Sequence, residues 1–347
     1  MPIRVIVTGA TGLVGRAVME MAPLLASVAV ELIGVGSADA NLTDYAETLA
    51  MLKRHGAVPG GTATGETNPI HGIIHLAARV GGLFRNLNEP VEMTQDNLLM
   101  GVNILKAAHE CDIDNVVMCL STCIFPNEVP AYPITAADLH RGPPHPSNEG
   151  YSYAKRMCDV LTRAYQKQYG RRYFCVVPTN VYGPHDNFHL ADAHVAPALI
   201  HKCWRARQTG TPFVVAGDGT PLRQFIYSED LGRLILWSYI YYDTIGEPLF
   251  LCPPNSEVPI SHVVTAIAEA FDYTHAIQYD PTLPNGQYRK TAETFPKAAE
   301  AEALGFTDSE ADAERWTPLG EGLRRTVEWF LDAVDSDEPP RGVVSKK

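Results

Sequence analysis

What most limits the fold of this chain is the order of its β-branched runs. Residues 3–8, 31–35, 72–77, 115–120 and 173–178 each read as a short strand, and 12–25, 42–53, 91–110 and 151–169 read as helices between them. Strands separated by helical crossovers run parallel, because each crossover returns the chain to the same end of the sheet. The pattern predicts an α/β fold, a doubly wound parallel Rossmann sheet with helices on both faces. After Pro178 the rhythm loosens into pieces punctuated by Gly183-Pro184 and Gly217-Asp218-Gly219, which predicts a smaller second lobe. The expected division is 1–180 for the dinucleotide-binding sheet domain and 181–334 for the substrate lobe, with some chain exchanged between them. Residues 54–69 read as a long surface loop, and 335–347, broken by Pro339-Pro340, as a disordered tail.

Composition narrows the partners. With 46% hydrophobic and 20% charged residues, 347 residues can bury a sizeable core. Lys and Arg number 28 against 40 Asp and Glu, a net charge of −12 that repels nucleic acid, so an anionic ligand must meet a local cluster of donors. Seven cysteines (111, 119, 123, 158, 175, 203 and 252) are odd in number and free of any C-x-x-C pair, which argues against a disulfide framework or a metal site. The apolar-rich stretch 17–36 is interrupted by Glu20, Pro23, Ser27 and Glu31, too polar for a membrane span. With no signal-peptide pattern at the start, a soluble, reducing, cytoplasmic setting is expected.

Two motifs carry chemistry. Gly9-Ala10-Thr11-Gly12-Leu13-Val14-Gly15 lies between the first strand and first helix, where glycine lets the backbone turn tightly and approach a pyrophosphate at a helix N-terminus. Three glycines alone are a weak sign; their place at the first strand-to-helix turn makes a dinucleotide site the better reading. Ser121-Thr122-Cys123 follows the fourth strand, and Tyr151 and Lys155 stand four apart on a helix, so they project from one face. An ammonium there is expected to lower the phenol's pKa and make it a proton donor, while Ser121 hydrogen-bonds the same substrate oxygen.

These features, with His75-Leu76-Ala77-Ala78, Val80-Gly81-Gly82, Ser121-Thr122-Cys123-Ile124-Phe125-Pro126, Pro178-Thr179-Asn180-Val181-Tyr182-Gly183-Pro184-His185-Asp186-Asn187-Phe188-His189, Ala193-His194-Val195 and Arg223-Gln224-Phe225, resemble the extended short-chain dehydrogenase/reductase family over almost the whole chain. Within it the resemblance is to enzymes that epimerise C3 and C5 of GDP-4-keto-6-deoxy-D-mannose and then reduce C4. It implies NADPH as cofactor, a GDP-sugar as substrate, and a homodimer seamed by helices 91–110 and 151–169. It also implies Cys123 as base and His194 as acid on opposite faces of the sugar, with Ser121 and Tyr151 on the C4 oxygen and Lys155 tuning Tyr151.

The cofactor positions implied are Gly9, Thr11, Gly12, Leu13, Val14 and Gly15 in the turn, then Ser37, Asn41, Leu42, Ala77, Leu120, Lys155, Pro178, Asn180 and Val181. Those implied for the nucleotide sugar are Asn180, Val195, Lys202, Ala216, Arg223, Asn285 and Lys290. Ala216 stands where the family usually has Trp, and Asn285 where it has Asp. The Arg residues that pair with a cofactor 2′-phosphate in bacterial relatives are replaced by Thr11 and a neutral Gly36-Ser37-Ala38, leaving Arg16, Thr11 and Ser37 as contacts. Two other readings stay open: an epimerase or dehydratase of the same family that recycles NAD, and a non-catalytic dinucleotide-sensing module.

Overall fold

The computed structural model describes residues 2–23, 29–58, 70–242, 246–283, 287–294 and 316–343. Six parallel strands form the main sheet: β1 (Ile3–Thr8), β2 (Val30–Val35), β3 (Gly72–His75), β4 (Asn115–Cys119), β5 (Arg172–Pro178) and, from the second half, β9 (Leu249–Leu251). Their spatial order is β2-β1-β3-β4-β5-β9. Val5, Ile6 and Val7 are all fully buried, as in a strand covered on both faces, which is why such strands read as continuous apolar runs. The order reverses between β1 and β3, and the crevice beyond the carboxyl ends of the strands at such a switch is where ligands bind.

One face of the sheet is covered by α2 (Tyr45–Arg54), α4 (Pro90–Glu110) and α5 (Glu149–Tyr169), the other by α1 (Leu13–Glu20) and α7 (Ser228–Tyr241). Helix α1 is shorter than the sequence pattern suggests, since Pro23 cannot continue it. Strand β9 escaped that pattern because Leu-Phe-Leu is three residues long and carries no β-branched side chain. Both β9 and α7 lie beyond residue 180, yet they complete the sheet layer. The tight seat of α7 on α1 depends on Gly232, where a Cβ would stand 2.8 Å from the Ala17 carbonyl.

The second lobe has its own core, built by α6 (Val195–Thr209), α8 (Ile260–Ala270) and α9 (Leu319–Val334) around Phe188, Trp204, Phe213 and Phe330. Two small sheets join it: β6 (Asn180–Tyr182), β8 (Leu222–Tyr227) and β10 (Glu257–Pro259) in one, β7 (Phe213–Ala216) and β11 (Ile277–Asp280) in the other. A short α3 (Leu83–Asn88) precedes α4.

The expectation of a disordered tail does not hold for 335–343. The Phe188 N–H donates to the Arg341 carbonyl at 2.8 Å, and Val343 is buried in the second core, so hydrogen bonding and apolar burial offset the entropy of ordering this segment. Most of the expected loop 54–69 lies outside the described residues; Arg54 itself ends α2.

Candidate active site

The glycine turn follows β1. Gly9 has φ +73°, and a Cβ there would lie 2.7 Å from the Ala77 amide nitrogen; one on Gly15 would lie 2.1 Å from the Gly9 carbonyl oxygen. The Gly12 N–H closes the turn onto the Gly9 carbonyl at 3.0 Å, and the first rung of α1 is the Arg16 N–H to the Gly12 carbonyl. The Leu13, Val14 and Gly15 amides precede that rung and remain available to an anion, so the turn fits a dinucleotide diphosphate.

Gly9, Thr11, Gly12, Leu13, Val14 and Gly15 open onto one cavity of about 950 Å³. Ser37, Asn41, Leu42, Ala77, Leu120, Lys155, Pro178, Asn180 and Val181 line the same space, and so do Ser121, Cys123, Tyr151, His194, Arg223 and Lys290. Val195, Lys202 and Ala216 lie outside its lining. Val195 packs toward the second core, Lys202 is half-buried on α6 with its pKa lowered by burial, and Ala216 ends β7. Asn285 lies outside the described residues.

The reactive groups are held closely. Past β4 the chain makes a short 3₁₀ turn, Thr122–Ile124, whose first residue is preceded by Ser121; the Ser121 hydroxyl accepts from the Cys123 N–H at 3.3 Å. Lys290 Nζ donates to Cys123 Sγ at 3.1 Å. Burial pushes the Cys123 thiol up, but Lys290, Ser121 and Arg223 together outweigh it and bring its pKa below the ordinary thiol value. Arg223 is fixed by donating to the carbonyls of Leu222, Gln287 and Tyr288. His194, immediately before α6, has its imidazole pKa lowered by burial and then by Lys290.

Tyr151 corrects the sequence reading. Its pKa is raised well above that of a free phenol, first by burial and then by Cys123, Cys119 and Cys158. The Lys155 ammonium is spent elsewhere, donating to the Cys119 carbonyl at 3.0 Å. Tyr151 is therefore a neutral O–H donor at neutral pH.

The end of the cavity beyond β2 also differs from expectation. Asp39, three residues beyond the neutral Gly36, folds back so that its carboxylate accepts the Gly36 N–H at 2.7 Å. Arg16 stays outside the cavity lining, with its Nε on the Thr11 carbonyl at 3.3 Å. Among the wall residues that sequence reasoning missed, two carry charge close to each other. Arg341 comes from the segment read as tail, and Asp186 carried no role although it sits in a quoted motif; its pKa is raised to about 7, chiefly by burial. Among the described residues no group of three or more His, Cys, Asp or Glu side chains is placed to hold a metal ion.

Comparison with known proteins agrees with this geometry. Residues 5–248 match the model of the NAD dependent epimerase/dehydratase family. A GDP-L-fucose synthase of Dictyostelium discoideum is 38% identical across 96% of both chains, and a probable GDP-L-fucose synthase of Drosophila melanogaster is 39% identical across 96% of this chain and 98% of its own. The crystal structure of a GDP-L-fucose synthetase from Naegleria fowleri bound to NADP superposes with a TM-score of 0.81 at 36% identity, covering 96% of this chain and 95% of that one. The chain belongs to the NAD dependent epimerase/dehydratase family, and within it to the GDP-L-fucose synthases.

Proposed function

We propose that this chain converts GDP-4-keto-6-deoxy-D-mannose to GDP-L-fucose, epimerising C3 and C5 and then reducing C4 at the expense of NADPH. The observation that carries the reading is the Lys290 ammonium on the Cys123 thiol, in one cavity with Ser121, Tyr151 and His194. A simple keto reductase needs the serine, tyrosine and lysine. It has no use for a thiol drawn toward thiolate by a half-buried cation.

The chemistry follows from the C4 ketone, which acidifies the C–H bonds at C3 and C5. Neutral Tyr151 and Ser121 donate hydrogen bonds to the C4 oxygen and stabilise the enolate. Cys123 thiolate removes the proton from one face, and His194 imidazolium returns one to the other. Burial and Lys290 disfavour that imidazolium, while the negative diphosphate of a GDP-sugar opposes Lys290 and favours it. After one inversion Cys123 carries a proton and His194 has lost one, so both exchange with solvent before the second carbon is inverted. NADPH, bound at the glycine turn, supplies a hydride to C4. Tyr151 then protonates the oxygen anion, while buried Lys155 stays on the Cys119 carbonyl.

The test is product analysis by NMR after turnover in deuterated water with NADPH. One NADPH consumed per GDP-L-fucose, with deuterium at C3 and C5, is expected. Turnover without net NADPH consumption would point to an enzyme that recycles NAD, and an unlabelled product would sink the epimerase role.

The same reading includes a homodimer and a cytosolic setting. Leu99 on α4 and Tyr153, Met157 and Val160 on α5 are exposed apolar side chains on two helices packed side by side, as a seam between two copies requires. A mass in solution of one chain would exclude it. All seven cysteines are free thiols, and catalysis by Cys123 requires a reducing compartment; no helix among the described residues is long and apolar enough to cross a membrane.

A further inference from the structure

Five lysine and arginine side chains of the described residues line the cavity, and four are engaged by the protein. Arg79 pairs with Glu89 at 2.6 Å and Asp96 at 3.0 Å. Lys155 binds the Cys119 carbonyl, Arg223 binds main-chain carbonyls, and Lys290 binds Cys123. The fifth is Arg341, whose guanidinium has no hydrogen bond or ion pair among the described residues. Its backbone, by contrast, is fixed. Besides the bond from Phe188, the Val343 N–H closes a turn onto the Pro340 carbonyl at 3.0 Å, and Gly342, at φ +85°, sits so close that a Cβ would lie 2.4 Å from the His189 nitrogen.

A second observation concerns what stands beside it. Asp186 also lines the cavity and is only 6% exposed; its Oδ1 accepts the Asn187 N–H at 2.7 Å, while its Oδ2 is buried with no hydrogen-bond partner. The charge that acts on its carboxyl is Arg341. The loop bearing Asp186 leans on the helix that the glycine turn opens: His185 Nε2 lies 4.0 Å from Glu20 at the far end of α1, the charge of Arg16 in the first turn of α1 acts on the His185 imidazole, and the Gly82 N–H donates to the Asp192 carbonyl at 2.7 Å. Arg223 and Lys290 belong to the thiol side.

We propose that Arg341 is a diphosphate ligand of the cofactor: the C-terminal turn delivers its guanidinium to the cavity wall. Asp186 is near enough there for the two charges to act on each other without an ion pair. The chain's net charge of −12 makes an uncommitted cation at this wall the natural partner of a diphosphate. The inference rests on the function proposed above for the identity of the dinucleotide. Both ligands of the cavity carry a diphosphate, and the loop's contact with the helix that the glycine turn opens favours that of NADPH over that of the GDP-sugar.

The experiment measures dissociation constants of the full-length protein for NADPH, by quenching of tryptophan fluorescence, and for GDP, by calorimetry. Arg341→Gln is expected to weaken NADPH binding about tenfold, the worth of one charge-assisted hydrogen bond, with GDP binding within about twofold and the melting temperature unmoved. Arg341→Lys should recover most of the loss. Asp186→Asn should give a smaller loss for NADPH alone. NADPH affinity unchanged in Arg341→Gln overturns the assignment; so does a loss confined to GDP, and so does an equal loss for both ligands with a lowered melting temperature, which is what a purely structural tail would give. A wild-type protein that binds no NADPH would instead sink the proposed function.

Discussion

The dinucleotide side of the cavity is made by the ends of β1 to β5, neighbouring strands of a single parallel sheet, whereas its reactive side joins segments far apart in the chain. Gly9, Ser37, Ala77, Leu120 and Pro178 each follow or end a strand whose place is fixed by hydrogen bonding to the next. Cys123 and Lys290, by contrast, are 167 positions apart and meet through one contact of 3.1 Å. The first arrangement is set by backbone geometry and the second by side-chain charge. Damage to one should therefore leave the other working, and that separation is what experiments can break.

The largest effect should come from Cys123→Ser. Losing the general base should lower deuterium exchange at C3 and C5 by about 10²–10⁴-fold, the usual worth of such a group, while the NADPH dissociation constant stays at its wild-type value. Exchange rates by NMR and binding by fluorescence report the two sides separately. If NADPH binding falls as well, the two sides are coupled and the comparison fails.

The reciprocal damage is Gly15→Ala. An added methyl 2.1 Å from the Gly9 carbonyl must displace backbone, at a cost of about 1–3 kcal/mol in unfolding free energy. Chemical denaturation should detect that loss together with weaker NADPH binding. The alkylation rate of Cys123 should not move, because nothing in the glycine turn sets the charge around the thiol.

The contrast also explains what could be read from sequence. Spacing encodes position wherever the backbone does the positioning. Thus Gly9-x-x-Gly12-x-x-Gly15 after a β-branched run, and Tyr151 with Lys155 at helical spacing, both land on the cavity wall. Spacing does not encode electrostatics. The pair of Tyr151 and Lys155 suggested an acidified phenol, but burial raises it and the ammonium turns to the Cys119 carbonyl. Nor does spacing reveal returns of the chain. Arg341 follows charged residues and two prolines, the pattern of a solvated end, and only the bond from Phe188 and the burial of Val343 bring it to the cavity. Lys290 was reached by resemblance, since no local pattern marks one lysine as the partner of a cysteine so distant.

The finest test of the reactive side is Lys290→Met, read through pH. In the wild type, burial raises the Cys123 pKa and Lys290, Ser121 and Arg223 more than reverse it; for His194, burial and Lys290 both lower it. Removing the ammonium therefore moves both groups upward. The thiolate forms only at higher pH, which shifts the rising limb of kcat/KM to the alkaline side, and the imidazolium persists to higher pH, which shifts the falling limb the same way. The whole bell should move alkaline in Lys290→Met and stay near its wild-type position in Lys290→Arg, which keeps the charge. Alkylation of Cys123 in the ligand-free protein, with Cys123→Ser as the blank for the other thiols, isolates the first limb. A bell that narrows from one side, or does not move, would mean that Lys290 governs only one of the two groups or neither, and the reactive side would then owe its poise to burial and not to charge.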